Sequence, residues 1–452
     1  MGRAAWAWYL LAASALVPLL VPVGPMQLAW IDGLNVLAIV VFLLSRVRSG
    51  IVPGRIPLLL PVFVISLGSL LAVTNTRSVS GSALALMQDC YLYTWFLMLV
   101  VLLSGPDRLR FVGRAFIVTA VVTALVSVGM LLVRDHVALG DLIGPNGARA
   151  TGTFPNPNYL ADYLVLSFFL LLGGLGIHGV LAAGAGVVLL IGLLATKSNG
   201  AMISLLVGLV AWVALRAYSK RVRPMVIAGA AALSLATIVA GWALVAEWGV
   251  GSSTWSEIRS RSFAGRLERS SDDRLRIWSQ LQSAYATSPL GIGPGSSRSA
   301  TQAIDTQQRP GRSQAKEAHN DYLGYAIERG PIALAGLLAL LAVCFRRSTS
   351  YLKRVSRGEH PSAWEGAFAA AIVAGLVASC VHSLVIEKLH FRHFWFYLAI
   401  LYAGTPSPSR RTAMAPERKG APMVHDGSRE RQRWARSSTS MHEAPSASTG
   451  AR

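Results

Sequence analysis

Residues 226–245 read Val-Ile-Ala-Gly-Ala-Ala-Ala-Leu-Ser-Leu-Ala-Thr-Ile-Val-Ala-Gly-Trp-Ala-Leu-Val, without a single charge. A helix of about 20 such residues is roughly 30 Å long, which matches the hydrocarbon thickness of a bilayer. A second charge-free run, Ile-Ala-Leu-Ala-Gly-Leu-Leu-Ala-Leu-Leu-Ala-Val-Cys-Phe, fills 332–345. Windows of the same character recur at 6–24, 27–45, 56–74, 82–103, 112–133, 159–176, 179–196, 200–217, 225–246, 321–345, 364–386 and 390–404. They predict an all-α, polytopic integral membrane protein of about twelve transmembrane helices. The last window is short and polar at its start, so eleven is the alternative.

The composition agrees. The chain has 452 residues, 53% of them hydrophobic and only 14% charged, with a formal net charge of +20. Soluble chains carry roughly a quarter charged residues, so the basic excess must be concentrated in a few places. A nucleic-acid binder needs that charge as a basic face on a soluble fold, and the apolar runs exclude one. Cys90, Cys344 and Cys380 show neither CxxC nor Cys/His spacing, which argues against a disulfide framework and against a zinc site. Arg3 and the apolar stretch 4–23 have the look of a cleavable signal. The stretch continues past any Ala-x-Ala site to Pro25, so it reads as a retained first helix.

Lys and Arg in short loops favour the cytoplasm. Alternate loops carry Arg46, Arg48 and Arg55; Arg108, Arg110 and Arg114; Arg216, Lys220, Arg221 and Arg223; and Arg346, Arg347, Lys353, Arg354 and Arg357. Both termini are thereby expected in the cytoplasm, within a transmembrane domain spanning 1–404. The long segment 247–320 is expected outside. Residues 405–452, rich in Ser, Pro, Arg and Ala, cannot bury enough apolar surface to fold. They read as a disordered basic tail near anionic lipid headgroups.

Asp32, Asp89 and Asp162 each fall within about two turns of the outward end of their windows. Intramembrane acids are costly and often mark function, so they line an outward aqueous cavity or sit at the headgroup boundary. In the outer loop, the stretch from Ser271-Asp272-Asp273 reads as a capped helix start. Ile277, Trp278, Leu281, Ala284 and Tyr285 form an apolar stripe, and Arg276, Gln280, Ser283 and Thr287 a polar one. Such a helix is expected to lie on the membrane surface. Arg274 and Arg276 would then project where a lipid phosphate resides, as bidentate phosphate ligands or as a merely solvated pair.

The glycines of 288–295 lack the βαβ setting of a nucleotide site and read as a tight turn. His319-Asn320-Asp321-Tyr322 stands at the membrane re-entry, where a histidine can act as a general base or be simply solvated. Glu328 and Arg329, roughly 13 Å further along the helix, read as an ionisable pair inside the span. His382, Glu387, Lys388, His390, Arg392 and His393 form a second outward constellation, either lining the same cavity or part of an interfacial belt with Phe391, Phe394 and Trp395.

Taken together, four stretches resemble the O-antigen ligase and O-antigen polymerase superfamily, bacterial membrane glycosyltransferases. Residues 149–161, Arg-Ala-Thr-Gly-Thr-Phe-Pro-Asn-Pro-Asn-Tyr-Leu-Ala, are similar to its Gly-x-Phe-x-Asn-Pro-Asn segment, and Thr196-Lys197-Ser198-Asn199-Gly200 to its Thr-x-Ser-Arg-Gly turn. Arg276-Ile277-Trp278 with Pro289-Leu290-Gly291-Ile292-Gly293 resembles the loop helix and glycine turn. His319-Asn320 followed after nine residues by Gly330 resembles the ligase pattern. Asn199 stands where the family often has Arg, and beyond Gly330 the sequence runs Pro331-Ile332-Ala333, without the second glycine of the ligase motif.

The resemblance implies a GT-C-like fold and a metal-independent, inverting transfer without cofactor at the outer face of a bacterial cytoplasmic membrane. The donor would be a polyprenyl-diphosphate-linked saccharide, and the acceptor a glycan or lipid hydroxyl. His319 and Arg276 would be catalytic; Arg274, Arg149 and Lys197 would bind the diphosphate. Asn320, Tyr322, Glu328, Asn158, Asp162 and His382 would support them. The alternatives are a transporter or flippase of lipid-linked saccharides, disfavoured by the lack of an internal repeat, and a cell-wall glycan polymerase of the shape, elongation and division type.

Overall fold

The computed structural model describes residues 3–19, 29–49, 56–76, 78–133, 149–220, 263–308, 318–359 and 363–406. Met1–Thr405 form one compact unit and Pro406–Arg452 a second, of which only Pro406 is described. The expected tail and the window 225–246 therefore lie outside the described residues, as do 247–262 and 309–317 of the long loop.

The described residues form helices and no strands. In chain order these are α1 (Arg3–Leu16), α2 (Trp30–Arg48), α3 (Leu59–Val73), α4 (Val79–Leu102), α5 (Pro106–Val133), α6 (Pro157–Leu172), α7 (Gly179–Ala195), α8 (Asn199–Lys220), α9 (Phe263–Ala286), α10 (Ser297–Gln308), α11 (Asp321–Ser356), α12 (Ala363–His382) and α13 (Arg392–Gly404). Each apolar window within the described residues falls on a helix. α4, α5, α8, α11 and α12 are long and apolar enough to cross a membrane, and α1, α3, α6 and α7 are shorter apolar helices.

Side chains at the helix starts explain where the chain turns inward. Ser78 Oγ accepts the Gly81 N–H ahead of α4. Asn156 caps α6, with Pro157 in its first turn, where the missing N–H costs no hydrogen bond. Asn320 Oδ1 accepts the Leu323 N–H at 3.0 Å and opens α11.

α11 packs along α3, α12 along α8 and α6, α5 along α7, and α13 along α4. Small residues permit the closest approach: a Cβ on Gly336 of α11 would stand 2.7 Å from the Ile65 backbone nitrogen of α3. The centre is aromatic, with Trp95, Phe96, Phe116, Tyr163, Phe396 and Tyr397 fully buried. Leu60, Phe63 and Leu70 of α3 and Val36, Leu37 and Val47 of α2 are exposed. An unburied apolar face of this kind suits lipid contact.

Three sequence expectations change. The loop helix does not begin at Ser271–Asp273, because those residues lie inside α9, which runs from Phe263. Its apolar stripe does not face lipid. Ile277 and Leu281 pack with Ile292, Ala300, Ala318 and Ile327 in a satellite core, joined by Trp278, Ala284, Tyr285 and Leu323. Gln280, assigned to the polar stripe, is buried, whereas Ser283 and Thr287 are exposed. Finally, Asp89 lies deeper than two turns: α4 starts at Val79, so it sits about 15 Å along the helix.

Candidate functional site

The three early acids take basic partners. Asp32 binds the Arg392 guanidinium through both oxygens, accepts the Tyr91 hydroxyl at 2.9 Å, and caps α2 through the Ala29 N–H at 2.8 Å. Asp89 pairs with Arg329, which also donates to Ser69 and stacks on Tyr325. Asp162 is fully buried among His382 Nδ1 at 2.7 Å, Lys388 Nζ at 3.1 Å and His393 Nε2 at 2.9 Å. An intramembrane charge is tolerated when paired and hydrogen-bonded. The acids thus act as cross-links between distant helices.

Glu328 and Arg329 do not form the expected pair. Arg329 turns to Asp89, while the Glu328 carboxylate accepts the Gly295 and Ser297 N–H groups, both at 2.9 Å. Backbone geometry explains the divergence. Gly330 has φ 79° and ψ 176°, a conformation open to glycine, and Pro331 has no N–H to offer. The carbonyls of Ile327 and Glu328 consequently lose their helical donors. The N–H groups of Ile292 and Gly293 replace them, each at 2.9 Å. The glycine turn is therefore docked into the kink of α11. Gly291, at φ 106°, is required there, since a Cβ would meet the Glu328 carbonyl oxygen at 2.7 Å.

His319 has φ 50°, in the left-handed region that histidine enters more readily than most residues. Each neighbour in this turn is held. The Ala318 carbonyl accepts the Trp278 indole N–H at 2.8 Å, and the His319 N–H donates to Glu387 Oε1 at 3.0 Å. The Asp321 N–H donates to the Ser383 carbonyl at 2.9 Å, and Asp321 Oδ1 accepts the Lys388 and Leu389 N–H groups at 2.9 and 3.4 Å. Tyr322 donates to the Cys380 carbonyl at 3.0 Å, tying α11 to α12. The half-buried His319 thus stands in a turn clasped by α9 on one side and by the α12–α13 connection on the other.

Of the two loop arginines, Arg274 lies four residues before Trp278 and shares its helical face. Its guanidinium reaches the Val385 carbonyl at 3.4 Å. Partial burial pulls its pKa below the ordinary arginine value, yet a guanidinium stays charged near neutral pH. Arg276 is half-buried one turn earlier than Gln280.

Arg149 braces two other stretches: its Nε donates to the Thr196 carbonyl at 2.8 Å and a terminal nitrogen to Asn158 Oδ1 at 2.9 Å. Lys197 follows with φ 50°. Gly200 then abuts the end of α12 and the α12–α13 connection, where a Cβ would press on Val385 Cγ2 and stand 3.4 Å from His382 Cδ2.

The structure therefore joins Arg149, Asn158 and the 196–200 turn in one group, and joins Arg274, Trp278, His319, Asn320 and Asp321 in another. The connection 383–390 touches both. The sequence expectation names Glu387, Lys388 and His393 only as members of a dense ionisable constellation between 382 and 393; the structure supplies their partners, the His319 N–H for Glu387 and the Asp162 carboxylate for Lys388 and His393.

Residues 184–338 match the O-antigen ligase family. This supports the O-antigen ligase/polymerase superfamily and, with it, a glycosyltransferase-like role at a membrane in polysaccharide assembly. The matched segment includes the 196–200 turn, Arg274, Arg276 and His319, and ends before Glu387 and Asp162's three partners on and beyond α12. No curated protein matches the chain.

Proposed function

We propose, from the O-antigen ligase match over 184–338, that this protein transfers a saccharide from a polyprenyl-diphosphate carrier to an acceptor hydroxyl. The reaction takes place on the extracytoplasmic side of a bacterial cytoplasmic membrane, with both termini cytoplasmic and the basic tail 405–452 near anionic lipid. The observation that carries this reading is the clasped turn at 318–321. It supports His319 in a left-handed turn joined through Trp278 to the helix that bears Arg274 and Arg276.

In the proposed step, the acceptor oxygen attacks the anomeric carbon from the face opposite the diphosphate, inverting it. The hydroxyl proton passes to His319 as the new C–O bond forms. The bond to the diphosphate breaks with its electron pair leaving on the phosphate oxygen. Arg276, with Arg274, offsets that developing charge, the largest contribution a fixed cation makes to such a step. Arg149 and Lys197 flank the diphosphate from the 149–161 and 196–200 stretches. The donor already carries the activated bond, so neither nucleotide sugar nor metal is required. An acceptor that is itself lipid-linked gives a polymerase; a different envelope acceptor gives a ligase.

The test uses full-length protein in detergent. The donor is lipid-linked saccharide extracted from a strain deleted for the gene, the acceptor is the same strain's membrane fraction, and released polyprenyl diphosphate is the readout. His319→Ala is expected to lower turnover by at least 10²-fold, the usual scale for a lost general base, and transfer should persist in a chelator. Turnover within threefold of the parent, or a divalent-metal requirement, would remove the reading.

A further inference from the structure

We infer that Glu387 is a positioning residue for His319, fixing through the backbone the conformation from which the imidazole works; this rests on the reading of His319 as general base. Three observations carry it. The Glu387 carboxylate accepts the His319 N–H at 3.0 Å, across 68 residues of sequence. His319 is held at φ 50°, a left-handed conformation that is uncommon for a non-glycine residue and carries a backbone cost even for histidine. The third is the space at Gly324. A Cβ on this residue, one turn into α11, would stand 3.3 Å from Glu387 Cδ and 3.4 Å from its Oε1, so the missing side chain makes room for the carboxylate.

The segment bearing Glu387 is itself immobilised from both ends. Ser383 accepts the Asp321 N–H, and the Lys388 and Leu389 N–H groups bind Asp321 Oδ1. Glu387 therefore delivers its oxygen to the histidine turn from a fixed base. The carboxylate is not required to touch the acceptor or the diphosphate. Its contribution is geometric, and misplacing a reacting group by about 1 Å costs on the order of 10²-fold in rate.

The experiment compares three variants of the full-length protein in the transfer assay above, with thermal midpoints measured in the same detergent. Gly324→Ala crowds the carboxylate while favouring the helix over glycine. It should lower kcat about tenfold, leave the donor KM within about twofold, and keep or raise the thermal midpoint. A residue that only stabilises the fold would not give that combination. Glu387→Ala should lower kcat by roughly 10- to 100-fold, and Glu387→Gln, which keeps an acceptor oxygen for the N–H, should restore it to within about threefold.

The inference is overturned if Gly324→Ala retains the parental kcat, or if Glu387→Gln is as impaired as Glu387→Ala. Should Glu387→Ala fail to fold, the Gly324→Ala result alone decides. His319→Ala separates the two levels of argument. Normal turnover in that variant removes the general base itself. Loss in His319→Ala with normal kcat in Gly324→Ala removes only the positioning role.

Discussion

Replacing Glu328 by Gln tests whether this residue is a clamp on the glycine turn or a participant in transfer. Its two carboxylate oxygens accept the N–H groups of Gly295 and Ser297 at 2.9 Å each, the second at the first residue of α10. Glutamine keeps one acceptor and presents an NH₂ to the other N–H, so one charge-assisted bond is lost and a donor faces a donor. A hydrogen bond to a charged partner contributes about 1.5–3 kcal/mol. Gly295 is exposed, which argues for the low end, about 2 kcal/mol. At 1.4 kcal/mol per decade, local opening of the turn should become roughly 30-fold more frequent.

Amide hydrogen exchange on the detergent-solubilised protein reads this directly. Protection across 293–300 should fall by that factor, while α12 and α13, whose backbones give no hydrogen bond to Glu328, should exchange as before. Exchange at Gly295 and Ser297 within threefold of the parent would refute the reasoning and return Glu328 to the candidate chemistry.

Gly330→Ala forces a Cβ onto the Leu290 backbone at a residue with φ 79°; the turn at 288–296 should undock and become sensitive to limited proteolysis, and unchanged resistance would contradict the account of the kink. Arg329→Met strands Asp89 and should destabilise the protein by about 3 kcal/mol, seen as a lower thermal midpoint. Pairing it with Asp89→Asn should recover at least half of the loss, and equal midpoints for the single and double variants would show that the loss does not come from a stranded Asp89 charge.

Local signals were legible in the sequence and long-range ones were not. Apolar length located the helices, and spacing located the His319-Asn320 turn. The windows opening at 159 and 321 fall within two residues of the starts of α6 and α11. The start of α9 was misread because Ser271-Asp272-Asp273 looks like a cap. The preceding Phe-Ala-Gly-Arg-Leu-Glu-Arg contains mostly good helix formers, and two interior aspartates cost only a few tenths of a kcal/mol each. α10 went unseen since its sequence is polar and its first turn is held by Glu328, 31 residues away.

The acids Asp32, Asp89 and Asp162 stood out as anomalies, yet nothing in their neighbourhoods announced Arg392, Arg329 and Lys388. Pairing across hundreds of residues leaves no periodicity. Glu387 stood out in the same way, as one of a cluster of ionisable residues, while its pairing with the His319 turn did not. Its function depends on a backbone amide, and a backbone amide has no sequence signature.

That separation also sets a schedule for assembly. Asp32 is synthesised 360 residues before Arg392, Asp89 240 before Arg329, and Asp162 226 before Lys388. At roughly 5–20 residues per second, each acid waits tens of seconds for its cation. In every case the acid comes from the first half of the chain and the base from the last third. The early helices are therefore made carrying carboxyl groups whose partners do not yet exist, and these three cross-links cannot form until α11, the α12–α13 connection and α13 arrive. They are among the last contacts the chain can complete, and a chain that stops short of Arg392 leaves Asp32 without its guanidinium partner.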